Sequence, residues 1–169
     1  MTLKDNIWEH RSEFIGPHAS PGFVFWNQFM TWQRGVNAVL APHDITQPQF
    51  AILATCAWMT RDQSCRTQQD IADFLQMDRM HISQIINRME RKGLIVRTAS
   101  SNDKRAKIVQ VTEAGHLRLQ ATIHVVEDFD KRFFQSTQTE KTLAYYSASS
   151  RKWPLNSCHK KTGRAYDPF

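Results

Sequence analysis

Cysteine is scarce in this chain: Cys56, Cys65 and Cys158 are three in 169 residues, odd in number and never at C-x-x-C spacing. That argues against a disulfide framework and against a zinc knuckle. Cys56 falls in an apolar stretch and reads as a small core residue, while Cys65 and Cys158 leave a redox-sensing role open. The six glycines are scattered, so no glycine-rich phosphate loop is present. No apolar run reaches membrane-spanning length, because Asn27, Gln28 and Gln33 interrupt the longest candidates. The stretch from Met1 to Asn6 lacks the apolar segment of a secretory signal, so a cytoplasmic protein without a membrane partner is expected. Also missing are a Ser/His/Asp order and a His-x-x-x-His ligand pair. His43 and Asp44 are adjacent, but in a helix-to-helix loop they read as capping and solvation. No catalytic residue, metal ligand or cofactor is therefore expected.

What is present is a core-forming composition and an uneven charge. Hydrophobic residues make up 41% of the chain, which supports a real core and argues against global disorder. The length suits one domain, or a core with helical extensions. Net charge is +6, but its placement is more telling. From Arg79 to Lys107 there are eight Lys/Arg against Glu90 and Asp103, and from Lys141 to Phe169 six against Asp167. The remainder is mildly acidic. A basic block in an acidic body suggests that one surface meets a polyanion.

Periodicity orders the elements. Ser20 and Pro21 start a helix whose Phe25, Phe29, Trp32, Val36 and Val39 form one stripe, and Pro42 stops it. Thr46 and Gln49 form a capping box for a second helix, apolar on two faces: Phe50, Leu53, Ala54, Ala57 and Trp58 on one, Ile52, Cys56 and Met59 on the other. A helix of that kind belongs in the middle of a domain. After the polar turn at 61–64, Thr67 caps a short helix bearing Ile71, Ala72 and Leu75. Gln76 and Met77 break the chain, and Asp78 caps a further helix with Ile82, Ile85, Ile86 and Met89 at core spacing, ended by Gly93. Two β-prone runs follow, 94–98 and 107–111, around a polar tip at 100–105. Thr112 then caps a long helix with Leu119, Ile123, Val126, Phe129 and Phe133 in a stripe suited to a core or to a partner-helix seam.

Two short helices joined by a tight turn and followed by a two-stranded hairpin make a winged helix-turn-helix, mainly α with a small β wing. The helix after Asp78 is apolar on one side and leaves Arg79, Met80, His81, Ser83, Gln84, Asn87 and Arg88 for base edges and phosphates. Gln84 suits adenine, and Arg79 or Arg88 suits guanine or phosphate. At the hairpin tip Arg105 is placed for a minor groove, Asp103 can hold it extended, and Lys104 and Lys107 can reach flanking phosphates. Taken alone, that helix is also what an ordinary amphipathic surface helix looks like.

The run Thr67 to Leu75, then Ile82-Ser83 through Met89-Glu90-Arg91-Lys92-Gly93-Leu94-Ile95-Val96-Arg97, resembles the MarR family of multiple-antibiotic-resistance regulators. Asp103-Lys104-Arg105 followed by Val111-Thr112-Glu113-Ala114-Gly115 is similar to that family's Asp-x-Arg loop and Leu-Thr-x-x-Gly segment. Ile45 to Leu53 is similar to its Leu-Thr-x-x-Gln segment. Four elements in register, over roughly Pro21 to Phe134, make the resemblance fairly specific.

The resemblance implies a sequence-specific, homodimeric transcriptional regulator, a repressor by type, bound to double-stranded DNA at an inverted-repeat operator and found at the nucleoid when bound. It implies winged helix-turn-helix heads with flanking dimerisation helices: 20–45 and 112–140 for the dimer layer and 46–111 for the DNA-binding region. The basic tail at 141–169 is atypical of the family, and poor order, divergence and a shifted reading frame are the alternatives for it. Release by a small aromatic acid is implied too. Trp26, Trp32, Arg34, His43 and Trp58 are the candidate ligand residues, with plain core as the alternative for the tryptophans. The chain departs from the family at Met80 and His81, where small hydroxyl residues are common, so an unusual operator is expected. It has no cysteine in its first helix, unlike the hydroperoxide-sensing branch, and no leucine-rich last helix. An architectural DNA-coating protein without an effector is the alternative function.

Overall fold

A computed structural model of the chain describes residues 12–62, 65–99 and 106–136. After a 3-10 turn at Pro17–Ala19, the elements are helix α1 (Pro21–Leu40), α2 (Gln47–Met59), strand β1 (Arg66–Thr67), α3 (Gln68–Leu75), α4 (Arg79–Arg91), β2 (Ile95–Ala99), β3 (Lys107–Val111) and α5 (Glu113–Ser136). The segment 141–169 lies outside the described residues, as does Cys158.

Local chemistry sets the boundaries. Pro21 opens α1, although the Ser20 side chain makes no capping bond. Near its end the backbone tightens into a 3-10 turn through Pro42 and then turns at Asp44, whose φ of 50° is left-handed. The Thr46 N–H donates to Gln49 Oε1 at 3.1 Å, and the Gln47 N–H donates to Asn37 Oδ1 at 2.9 Å, so a side chain of α1 helps cap α2. Thr67 and Asp70 cap α3 reciprocally, with Thr67 N–H to Asp70 Oδ2 at 2.8 Å and Asp70 N–H to Thr67 Oγ1 at 3.2 Å. Asp78 caps α4 by accepting from the N–H groups of Met80 and His81. At its other end, Leu94 N–H bonds to Met89 O and Gly93 N–H to Glu90 O, with Gly93 at φ 69°. This is a Schellman stop with its apolar pair, Met89 and Leu94, both buried.

The sheet order is β1-β3-β2, antiparallel throughout. The third strand corrects the two-stranded expectation: Arg66 pairs with Val109 and Thr67 with Ile108, a stretch too short to show periodicity. It anchors the hairpin to the turn before α3. One core joins the layers. Val36 and Leu40 of α1 and Val126 of α5 pack into the cluster that holds Ile52, Leu53, Ile71, Ile82, Ile86 and Val109. Burial among them pushes the Cys56 thiol up to about 12, so it behaves as an inert apolar group. Gly35 permits the α1–α5 approach, since a Cβ there would lie 2.2 Å from the Phe129 ring. Trp58 departs from its expected place in the α2 core face. It is 58% exposed, with the Arg61 guanidinium 3.8 Å over its ring. Among the described residues no helix is long and apolar enough to cross a membrane.

Candidate nucleic-acid interface

Helix α4 separates two chemistries around its axis. Ile82, Ile85, Ile86 and Met89 are all buried, packed over α2 and α3. On the outer side Arg79, Met80, His81, Gln84, Asn87 and Arg88 are exposed, with Ser83 half-buried beside them. The Asp78 carboxylate already takes the first free N–H groups of the helix, so side chains are what this end has to offer a ligand. Met80 is 69% exposed, an apolar group standing among polar ones.

The basic block divides into paired and unpaired cations. Arg97 on β2 is engaged by Glu90 on α4: its N–H donates to Glu90 Oε1 at 3.2 Å, and its Nε and Nη2 both donate to Oε2. This fork holds the Glu90 carboxyl below the usual carboxylate range and fixes the wing strand to the end of α4. Lys92 is likewise held, by Asp44. Among the described residues no side-chain partner engages Arg79, Gln84, Asn87 or Arg88. Both pairs were missed from sequence. Glu90 and Arg97 sit on either side of the Gly93 turn, a spacing that only the turn's geometry makes meaningful.

Of the candidate wing residues, Lys107 is exposed where the hairpin closes at Ala99 and Lys107. Asp103, Lys104 and Arg105 lie outside the described residues. At the other end of the hairpin, Thr112 Oγ1 accepts from Gly115 N–H at 3.1 Å and donates to Gly93 O at 2.6 Å, clipping α5 to the end of α4.

The five candidate ligand residues stand in different surroundings. The Trp32 indole N–H donates to Asp130 Oδ1 of α5 at 2.7 Å, and burial raises the Asp130 carboxyl. Trp26 and Trp58 are more than half exposed, Arg34 is exposed and His43 half-buried. A shallow groove does run beside the α1–α2 corner, lined by Gln33, Asn37, Asp44, Ile45, Thr46 and Lys92, and none of the five lines it.

The family profile of MarR regulators matches residues 45–107, the span from α2 through the wing. An uncharacterized HTH-type transcriptional regulator, YdcH of Bacillus subtilis (strain 168), is 35% identical over 135 residues, covering 80% of this chain and 92% of that protein. In fold, the chain is similar to the S. aureus MepR–DNA complex structure, with TM-score 0.69 and 22% identity over 79% of this chain and 96% of that one. It is also similar to CouR from Rhodococcus jostii RHA1 bound to p-coumaroyl-CoA, with TM-score 0.67 and 20% identity over 82% and 96%. A winged helix-turn-helix matched by the family profile, and by a relative over nearly that relative's whole length, places the chain in the MarR family of transcriptional regulators.

Proposed function

We propose that the chain acts as a homodimer that reads an inverted-repeat operator, working by binding and not by catalysis. Arg79, Met80, His81, Ser83, Gln84, Asn87 and Arg88 face the major groove in this reading, and Arg105, with Asp103, Lys104 and Lys107 near it in sequence, serves the minor groove beside it. The observation that carries it is the two-sided chemistry of α4: every core-spaced residue is buried, and the outer cations and amides have no side-chain partner among the described residues. That MepR, a neighbour in fold, is found in complex with DNA supports a DNA-binding role. Residues 20–45 and 112–140 form the dimer layer and 46–111 the reading head. The protein is cytoplasmic and nucleoid-bound when engaged.

Selection of binders from random duplexes, followed by footprinting, tests this. Two heads related by a two-fold axis should select half-sites centred roughly 10 bp apart. Binding should weaken steeply with salt, since several phosphates per subunit are neutralised. Uniform coating without a selected sequence would support the architectural alternative.

A small aromatic acid is proposed as effector, supported by the aromatic acyl ligand of CouR, a neighbour in fold. To act as a switch it must bind the DNA-incompetent spacing of the heads better than the competent one. Titration of salicylate-like acids, with tryptophan fluorescence and operator binding followed together, separates a switch from a passive pocket.

A further inference from the structure

The left-handed corner at Asp44 meets the far end of the reading helix. Lys92, the residue that ends α4, reaches back across 48 positions of sequence, and its Nζ donates to both the main-chain O and Oδ1 of Asp44, each at 2.8 Å. The backbone at Asp44 has φ 50°, a conformation Asp and Asn tolerate better than most residues. It aims a carbonyl and a carboxylate at the same ammonium. Arg118 of α5 adds to the positive field at that carboxylate. The corner is also where α1 ends: Leu40 and Ile45 on either side of it are buried in the core, while the other end of α1 runs out into exposed aromatic residues. One exposed link therefore ties the base-reading helix to the point where the helical layer begins.

We infer that Lys92 and Asp44 form a positioning pair that sets the angle of α4 against α1, and through it the spacing of the two reading helices of a dimer. Lys92 then belongs to the machinery that aims the head and makes no phosphate contact. The inference rests on the DNA-reading function proposed above. The pair is poorly suited to holding the fold, because its side chains are 36% and 79% exposed and such pairs contribute little to stability. Its leverage is geometric. Releasing it lowers the fraction of molecules with heads at operator spacing, and apparent affinity falls by that fraction. The size of exposed pairs sets a loss of about two- to fivefold per head, or roughly four- to twenty-five-fold for a dimer.

The test compares Lys92→Met, Asp44→Asn and the double variant in the full chain, on the selected operator and on a single half-site duplex. Asn suits the left-handed corner, so folding is retained, and thermal melting checks it. Both single variants should lose operator affinity, Asp44→Asn less because its amide oxygen still accepts. The double variant should be no worse than Lys92→Met. Half-site binding and the salt dependence should stay as in the wild type, and Lys92→Arg should restore most of the loss. A phosphate-contacting Lys92 would behave otherwise: Asp44→Asn would bind as well as the wild type or better, and Lys92→Met would cut the salt slope by about one. That pattern, or additive losses in the double variant, overturns the pair. A wild-type chain that selects no operator at all removes the underlying reading, and the pair with it.

Discussion

Arg88 and Arg97 carry the same charge in the same basic block, but Arg97 is forked onto Glu90 while Arg88 has no side-chain partner among the described residues. Counting charges along the sequence overstates the cations available to DNA, and the structure sorts them by partner. Met80 raises the opposite question, because an apolar side chain this exposed gains nothing from water. Thymine is the base that offers an apolar group in the major groove, its methyl. Met80 should therefore read a thymine. Replacing that thymine by uracil removes one methyl and should cost about 1 kcal/mol, the scale of one buried methyl-sized group. In a Met80→Ala protein the two bases should bind alike. A uracil scan of the operator that finds no position whose effect depends on Met80 would remove this assignment.

At the scale of elements, the joints are more constrained than the helices they connect. Gly115 opens the second residue pair of α5 directly beneath the end of the reading helix, where a Cβ would fall 2.1 Å from the Leu94 carbonyl oxygen. That carbonyl also accepts from Thr112 N–H, so it has little freedom to move. Gly115→Ala should destabilise the fold by about 1–3 kcal/mol through overpacking. Gly22 is the contrast: it lies in α1 with nothing within 4 Å, and Gly22→Ala should stabilise by up to about 1 kcal/mol. Denaturant unfolding of the two variants reads both signs, and a neutral Gly115→Ala would show the joint to be loose. These joints also mark how far the sequence was legible. The core face of α4, the caps at Thr46, Thr67 and Asp78, the Gly93 stop and strand 107–111 carry local signals of period or residue type, and each was placed by them. Strand β1, at two residues, has no period to detect. The links Glu90–Arg97 and Asp44–Lys92 depend on how turns fold back, which no spacing rule encodes. Trp58 shows the remaining limit, because helical periodicity fixes a face but not how far the core extends along it.

For the whole molecule, the feature that a single chain leaves unexplained is the first half of α1. Phe23, Val24 and Trp26 are apolar residues distributed around the helix, and all three are exposed. A helix that is apolar on every side is stable only when surrounded. The rest of α1 is anchored by Val36 and Leu40 in the core and by Trp32 on Asp130, so the exposed turns project from a folded body. A second copy of the chain, embracing these turns with its own, fits the two-fold symmetry that an inverted repeat requires. Val24→Glu combined with Trp26→Glu places two charges in that contact without touching the core or α4. The double variant should be monomeric by sedimentation while its melting transition remains cooperative. Its affinity for an isolated half-site should match the wild type. On the full operator it should lose the gain of linked binding, roughly 10²–10⁴-fold, because the second head no longer arrives at high effective concentration. A variant that stays dimeric would place the dimer contact elsewhere, and a monomer that still binds the full operator with wild-type affinity would show that each head reads DNA alone.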